Sequence, residues 1–199
     1  MNKNIFTLTL ILMFLLMNII GCSEPDKEGV ANYFPSTVES SWEFKGTGNE
    51  FAEYKQTVTY QKDDKVQFAI NNSGTSSKAI YTISDNAITR VLLIHESYDD
   101  ENLLETDYEP NDDTIMIKLP FQVGNKWDVP NGSREIVDTE SNIITPAEYF
   151  TDCIKIKCEF NESEGYSYEY YQKDVGLVKT EYIHDDYKIN STLKKYFIS

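Results

Sequence analysis

The sequence predicts an all-β domain, mainly antiparallel, in which about ten strands form a curved sheet, a half-barrel or an open barrel with little helix. Three observations lead to this prediction. The chain of 199 residues contains 14 Tyr, 10 Phe and two Trp, and this composition favours pleated sheet over helix. Short runs that alternate at period two are separated by turn residues. No stretch after residue 21 keeps a helical period over twelve residues.

A leader precedes the predicted domain. Residues 5–20 are almost wholly apolar, and the polar start before them has Lys3 as its only charge. A transmembrane helix usually needs about 20 apolar residues. This run of 16 ends at Gly21 and is followed by the polar residues 23–28. We therefore predict a signal peptide over residues 1–21.

The end of the leader, Ile19-Ile20-Gly21-Cys22, resembles the lipobox of bacterial lipoproteins. The resemblance implies cleavage between Gly21 and Cys22, after which Cys22 is the new N-terminus and carries a diacylglyceryl thioether with palmitate-type chains. Two or more acyl chains, at roughly 0.8 kcal/mol per buried methylene, anchor a protein durably. The expected location is the extracytoplasmic face of the cell membrane, or the outer membrane in a cell that has two. The alternative is a buried structural cysteine behind an ordinary signal anchor.

The mature chain is strongly acidic. Loss of Lys3 with the leader takes the net charge from −15 to about −16. Such a surface repels phosphate backbones and anionic headgroups, so we expect no nucleic-acid partner and a domain that stands off the membrane. The remaining length suits one domain, which we expect to be a monomer. We place this domain at residues 33–199, behind a lipidated cysteine and polar tether at residues 22–32.

Alternation predicts the strands before residue 119. Residues 54–61 alternate at period two, a turn follows at residues 63–64, and residues 71–74 read as a loop before a strand at residues 79–83. Residues 87–94 form the most continuously apolar segment of the mature chain, which indicates a central strand. The side chains expected to face the core between the first turn and the loop are Val66, Phe68 and Ile70.

One turn-and-strand pattern occurs twice. Both copies read Pro, two residues, Val, three residues, Trp, and they begin at Pro35 and at Pro120. Proline cannot donate a ladder hydrogen bond, so each copy should begin where a strand is entered or turned. The duplication predicts two pseudo-equivalent halves of one sheet. The side chains expected in the core are Val38, Trp42, Val123 and Trp127.

The rest of the chain reads as a meander. Asn131-Gly132 is a hairpin signal before a strand at residues 134–138, and residues 145–150 read as one helical turn or a loop. Further strands are expected at residues 153–160, 166–171 and 177–183 and within residues 187–198. On one strand, Cys153 and Cys158 would have Cα atoms roughly 16 Å apart, beyond disulfide reach. We expect free thiols with no catalytic role.

Several segments resemble a group of small, uncharacterised bacterial surface lipoproteins. The resemblance implies an extracytoplasmic β fold and assigns no activity and no site residue. The chain departs from the group at Glu39, where glycine is common and where the second copy keeps Gly124, so the first turn is expected to differ from the second. The segments are Tyr33-Phe34-Pro35 leading to Trp42, the unit from Pro120 to Trp127, residues 151–156, and the Tyr-Tyr-x-x-x-Val-Gly-Leu-Val-Lys pattern at residues 170–179.

Motifs of known enzymes are incomplete, so we expect no enzyme, no cofactor and no metal. Ser191-x-x-Lys194 and the triplet at residues 84–86 match two signatures of penicillin-recognising enzymes. Their order is reversed, and no helix is predicted to carry the serine. His95-Glu96 lacks the second histidine of a zinc-protease motif, and His184 is remote in the chain.

Two surface features are candidates for binding. Residues 97–113 contain eight acids and no Lys or Arg, and Asp107, Glu109 and Asn111 alternate like the start of a calcium loop. The sixth and twelfth positions do not fit, so a solvated loop is the preferred interpretation. Tyr166, Tyr168 and Tyr170 share one strand face. They are either a platform for carbohydrate or peptide or, as we prefer, a cover for the core.

Three functions stay open from the sequence. The first is a non-enzymatic anchored lipoprotein whose sheet binds a ligand or a protein partner. The second is a passive structural lipoprotein of the cell envelope without a ligand pocket, and the third is a calcium-responsive surface module that uses residues 97–113. A concave sheet lined by apolar side chains would favour the first, and a closed, filled barrel the second.

Overall fold

All the strands of the described chain belong to one twelve-stranded antiparallel sheet, rolled into a nearly closed barrel shape. This computed structural model describes residues 29–185 and 187–199. The all-β prediction is confirmed, with twelve strands where about ten were expected. No helix within the described ranges is long and apolar enough to cross a bilayer. The strands are β1 (Ser41–Thr47), β2 (Tyr54–Lys62), β3 (Lys65–Asn72), β4 (Ser76–Ile83), β5 (Ala87–His95), β6 (Thr114–Lys118), β7 (Lys126–Val129), β8 (Gly132–Ile144), β9 (Tyr149–Phe160), β10 (Tyr166–Gln172), β11 (Gly176–His184) and β12 (Tyr187–Phe197).

The order of the strands brings the two edges of the sheet together. The order is β6-β5-β4-β3-β2-β1-β12-β11-β10-β9-β8-β7, so the first and last strands pair in the middle and β6 and β7 are the edges. Only residues 119–125 connect these edges. The short connection rolls the sheet, and the Trp127 side chain of β7 donates a hydrogen bond to the Ile115 carbonyl of β6 across the seam.

The two Pro-to-Trp units adopt the same turn. Glu39 has φ 76° and Gly124 has φ 90°, so both lie in the left-handed region. The expectation that the first turn differs because it has Glu39 is therefore wrong: an exposed glutamate takes up the conformation that glycine adopts in the second copy. The same pair of bonds joins each turn to the second strand after it. In the first copy they link the turn to β2, Glu39 N to Val58 O (3.0 Å) and Val58 N to Ser40 O (2.9 Å). In the second they link it to β8, Gly124 N to Ile136 O (2.8 Å) and Ile136 N to Asn125 O (2.9 Å).

The equivalence of the two halves extends along the sheet. The β2–β3 ladder has a bulge between Val58 and Tyr60, and the β8–β9 ladder has one between Ile136 and Asp138. Likewise, the β4–β5 ladder shifts between Ile80 and Tyr81, and the β10–β11 ladder between Tyr170 and Tyr171. Strands β3, β4 and β5 thus correspond to β9, β10 and β11. This confirms the prediction of two pseudo-equivalent halves.

The duplicated units place their tryptophans, but not their valines, in the core. Trp42 and Trp127 are buried, whereas Val38 and Val123 are exposed. The prediction for the valines is wrong because both lie in the turn, before the strand begins, where strand alternation does not apply. Both prolines lie outside strands, as expected, and Pro120 follows β6 in a cis peptide bond.

Aromatic side chains fill the interior of the barrel. The Phe34 ring packs at 5.4 Å from Phe68 and 4.9 Å from Tyr81, and Trp42 lies 6.0 Å from Phe68, all between ring centroids. The cavity enclosed between these rings, Tyr171 and their neighbours is only about 50 Å³. A 3₁₀ turn at Val30–Tyr33 closes one end, so packing begins three residues before the predicted domain boundary at residue 33.

Candidate functional site

The structure describes the two predicted free thiols but not the predicted anchor. Gly21 and Cys22, the expected cleavage and lipidation site, lie outside the described residues. Cys153 and Cys158 are free and buried. Burial, with the nearby Asp152 charge, raises the pKa of Cys153 to about 12, and burial raises the pKa of Cys158 as well. Thiols that stay protonated at neutral pH are poor nucleophiles.

The residues of the enzyme-like motifs lie apart and have structural partners. Ser191 of β12 is buried and donates to the Ala52 carbonyl at 2.7 Å. Ser84 closes the β4–β5 turn, where its hydroxyl donates to the Ala87 carbonyl at 2.9 Å. His95 lies 3.3 Å from the Ser77 hydroxyl. Across residues 29–185 and 187–199, no three His, Cys, Asp or Glu side chains group as a metal site requires.

Residues 97–113, which we call the acidic segment, pack on the outer surface of β3–β5. Leu103 and Leu104 are each 8% exposed and cover Ile80 and Leu92 of the sheet. The buried Gln67 amide donates to the Glu101 carbonyl and accepts from the Leu103 amide, both at 2.9 Å. The preferred interpretation of a solvated loop is therefore wrong for this segment's leucines and backbone, although most of its carboxylates are exposed.

Charged pairs hold the acidic segment down. Lys78 is 3% exposed and pairs with Asp99, and Lys62 pairs with Glu105 at 3.1 Å. Asn111 uses both ends of its amide on the Leu93 backbone, each at 2.9 Å, so its oxygen is already occupied. Asp112 pairs with Arg90 at 2.5 Å. The segment acts as a cover for one half of the sheet. Among the described residues, its acids form no group of three that could hold a metal ion, which does not favour the alternative of a calcium loop.

A second surface lies at the equivalent place on the other half. We call the outer side of β9–β11 the tyrosine–lysine face; its members are Tyr166, Tyr168, Tyr170, Lys155, Lys157 and Lys179. Successive tyrosine rings lie 5.4 and 6.5 Å apart with interplanar angles of 79° and 53°, so they do not form a flat platform. The ammonium nitrogens of the lysines lie 3.9 to 5.5 Å from ring centroids, which is cation–π geometry.

A buried carboxylate closes this face at β11. The Tyr170 hydroxyl donates to Glu181 at 2.7 Å, and Lys179 and Lys188 approach the other oxygen at 2.9 and 2.8 Å. Burial alone would raise the pKa of Glu181, but the hydrogen bonds from Lys188, Tyr170 and Lys179 outweigh it and lower the pKa to about 2. Glu181 is therefore a fixed anion.

The ladder register shows how the two outer surfaces correspond. Lys155, Tyr170 and Lys179 occupy the places that Gln67, Ile80 and Leu92 hold in the first half. The acidic segment covers the first set. In the second set, Tyr170 is 5% exposed and Lys155 and Lys179 are half-buried. A groove of about 620 Å³ adjoins the tyrosine–lysine face, and its lining includes Lys126, Ser133, Lys157, Glu159 and Tyr166.

The interior holds an ion pair that the sequence analysis missed. Arg134 of β8 is 5% exposed and pairs with Glu169 of β10, which also accepts from the Tyr171 hydroxyl at 2.6 Å. Burial would lower the pKa of Arg134, but the charge of Glu169 outweighs burial and raises that pKa above its ordinary value, so the guanidinium stays charged. The sequence gives only a weak signal for this pair. Arg134 and Ile136 alternate inward on β8, but Glu169 comes near them only through the sheet, from the second strand along.

Fold and surfaces together define a class of protein: an all-β domain of two pseudo-equivalent halves, one covered by its own acidic segment. The chain belongs to the DUF3108-like family, whose model matches residues 36–194. No curated protein matches the chain.

Two solved structures are similar to it. One, from Bacteroides fragilis, is provisionally described as an exported protein with a YmcC-like fold; it shares 17% identity over 82% of this chain and 98% of its own, with a TM-score of 0.48. The other, from Parabacteroides distasonis, is provisionally described as a lipoprotein; it shares 17% identity over 83% of this chain and 98% of its own, with a TM-score of 0.46.

Proposed function

We propose that this protein is a non-enzymatic lipoprotein, held at the extracytoplasmic face of a membrane through Cys22, whose tyrosine–lysine face binds an extended acidic segment of a partner protein. The lipobox-like end of the leader supports the anchor. One observation carries the proposed binding: the equivalent face of the other half is covered by an acidic segment of the chain itself.

The covered half shows how such a segment is held. Its contacts combine a lysine–carboxylate pair (Lys78 with Asp99), a tyrosine hydroxyl that donates to a backbone carbonyl (Tyr60 to Asp100, 2.9 Å), and a lysine over a ring (Lys65 over Tyr108, 5.4 Å). The tyrosine–lysine face offers the same kinds of group, lysine and tyrosine, in a chain whose net charge is −15. Lys157 and Lys179 already pair with Glu159 and Glu181, so an acidic partner is attracted by Lys155 and by exchange of these pairs. Acidic surfaces elsewhere on this chain repel it.

The interior of the barrel is filled by side chains, which supports a site on the outer surface over a ligand site on a concave inner face. The cavity between its rings holds only about 50 Å³, far below the roughly 300 Å³ or more of a typical small-molecule pocket. This observation favours the second candidate function, a passive envelope lipoprotein, over capture of a ligand inside the barrel. The two candidates differ in whether the tyrosine–lysine face binds anything.

The anchor is tested first. Wild type and Cys22→Ala are expressed from the full gene and compared by intact mass and membrane fractionation. We expect wild type to lose residues 1–21, to gain acyl mass and to sediment with membranes, and the variant to do none of these. If both behave alike, the anchor is wrong.

Binding is tested on purified wild type in phosphatidylcholine vesicles with labelled poly-L-glutamate. We expect binding that weakens with salt, and about tenfold weaker binding for Lys155→Glu with Lys157→Glu. The matched control is Lys194→Glu with Lys195→Glu, which reverses the charge of two exposed lysines of β12. This control should bind nearly as well as wild type. Equal binding by both variants, or no binding by wild type, favours the passive candidate.

A further inference from the structure

The two ends of the barrel differ in what they hold. We call one the proximal end; it carries the 3₁₀ turn at Val30–Tyr33, the loop 119–125, the β8–β9 hairpin tip at residues 144–149 and the end of β12. Tyr33 packs on Phe121 with ring centroids 4.7 Å apart, and the Asp174 amide donates to the Asn32 carbonyl at 2.6 Å. The chain that leads from Cys22 therefore joins the barrel at this end.

The chain between Cys22 and the barrel is short. The structure describes the chain from Gly29, whose carbonyl accepts from the Asn32 amide at 3.1 Å. Seven Cα-to-Cα steps separate Cys22 from Gly29, and a chain of that length spans at most about 25 Å. A lipid on Cys22 thus keeps the proximal end within that distance of the bilayer.

Large apolar side chains are exposed at the proximal end. Ile144 is 80% exposed and Tyr149 is 58% exposed, and the two are directly paired across the hairpin. Their neighbours Ile143 and Phe150 are buried, so the tip has one face on the core and the other outward. Phe197, at the end of β12, is 56% exposed.

One backbone and one side-chain hydrogen bond hold this tip in place across the end of the barrel. The Ala147 amide donates to the Leu193 carbonyl of β12 at 3.1 Å, and the Tyr196 hydroxyl donates to Glu148 at 2.5 Å. Ile144 and Tyr149 are thus displayed on a fixed element. An exposed isoleucine beside an exposed tyrosine suits the boundary between headgroups and acyl chains. There the tyrosine ring contacts the acyl chains while its hydroxyl stays hydrated.

We infer that the proximal end docks on the bilayer, with Ile144 and Tyr149 in the interfacial region of a zwitterionic lipid surface. This inference rests on the proposed anchor at Cys22, because the short connection supplies the proximity. It differs from the expectation of a domain that stands off the membrane, and the test below distinguishes the two. The acidic segment begins and ends at the opposite end, next to His95 and Thr114, away from the lipid. The tyrosine–lysine face, on the side wall, stays open to a partner.

The test uses the full lipidated protein in phosphatidylcholine vesicles that contain brominated acyl chains, which quench tryptophan at short range. Ile144→Trp places a reporter in the hairpin tip. Tyr98→Trp is the matched control, because Tyr98 is 69% exposed at the other end of the barrel. The native Trp42 and Trp127 are buried and give a constant background.

We expect brominated lipid to lower the extra emission of Ile144→Trp by about half or more and to leave that of Tyr98→Trp unchanged. Vesicle-bound Ile144→Trp that is not quenched would overturn the docking inference while leaving the anchor intact. If neither variant sediments with vesicles, the anchor itself fails and the inference fails with it. Equal quenching of both variants would also overturn the docking inference, since the proximal end would then be no closer to the acyl chains than the opposite end.

Discussion

The indole Nε1 of Trp127 donates to the carbonyl oxygen of Ile115 at 3.0 Å, and this bond links the two edge strands of the sheet. Its counterpart Trp42 donates instead to the Val175 carbonyl at 2.7 Å, in the turn between β10 and β11. The difference follows from the topology. Strand β1 forms a hydrogen-bonded ladder with β12, whereas β7 lies beside β6 without one. The Trp127 side chain therefore supplies a hydrogen bond across the seam where no ladder forms.

Trp127→Phe is therefore expected to loosen the seam. The substitution leaves the Ile115 carbonyl without its donor and removes part of a buried ring system, which should lower the free energy of unfolding by about 2 kcal/mol. Hydrogen exchange should also accelerate at the amides of β6 (Thr114–Lys118). Urea unfolding and exchange mass spectrometry measure the two effects.

The control for this substitution is Trp42→Phe, which removes the other indole donor. A similar loss of global stability is expected, but exchange in β6 should stay at the wild-type rate, because the Trp42 indole donates to the Val175 carbonyl and not to β6. Equal acceleration of β6 exchange in both variants would contradict a local role for the Trp127 bond.

The duplicated Pro-to-Trp unit shows which part of the fold the sequence could predict. Spacing alone indicated two equivalent halves, because each half repeats the same turn, strand and buried tryptophan. The family pattern suggested that Glu39 would change the first turn, yet its φ matches that of Gly124. Residue preference is a weak guide where two backbone hydrogen bonds, to β2 in one copy and to β8 in the other, fix the turn.

Glu39→Gly and Gly124→Ala should change stability in opposite directions. Glu39 occupies a left-handed conformation that costs an L-residue roughly 1 kcal/mol, so glycine should raise the free energy of unfolding by about 0.5 kcal/mol after its entropic cost. A side chain at Gly124 meets no atom within 4 Å, so Gly124→Ala isolates the backbone strain, about 1 kcal/mol. Urea midpoints measure both, and a stabilising Gly124→Ala would contradict the shared turn.

Residues 87–94 show where local pattern was insufficient. Their continuous hydrophobicity predicted a central strand, yet β5 lies next to the edge. Its second face is buried because the acidic segment places Leu103 and Leu104 on it. The composition of a segment with eight acids does not show that its two leucines will pack on the sheet. That packing depends on Gln67 and Lys78, which bond to the segment from β3 and β4. The Arg134–Glu169 pair was missed for the same reason.

Glu181 should make stability depend on pH in a narrow acidic window. Its pKa is about 2 in the folded protein, against an ordinary value of 4.5, so its contribution is complete above pH 4.5 and is lost as pH falls toward 2. We expect Glu181→Gln to be less stable than wild type by on the order of 2 to 3 kcal/mol at pH 7. The two proteins should converge as the pH approaches 2, as urea unfolding at stepped pH would show.

Glu159→Gln is the matched control for this pH dependence. Glu159 also pairs with two lysines, Lys126 and Lys157, but its side chain is 47% exposed and solvent screens the pairs. Its removal should leave the shape of the pH profile unchanged. If Glu181→Gln and wild type lose stability in parallel between pH 4.5 and pH 2, the buried carboxylate is not the titrating group.

Thiol titration separates the buried cysteines from the predicted anchor in one measurement. The chain has three cysteines, and Cys153 and Cys158 are buried with raised pKa values, so the folded protein should react with Ellman's reagent only very slowly at pH 8. In urea, membrane-purified protein should release two equivalents, because the Cys22 thiol is held as a thioether. Precursor made without the lipid-modifying machinery should release three. Three equivalents from the membrane-purified protein would show a free Cys22, and fast reaction of the folded protein would show that burial does not protect the other two.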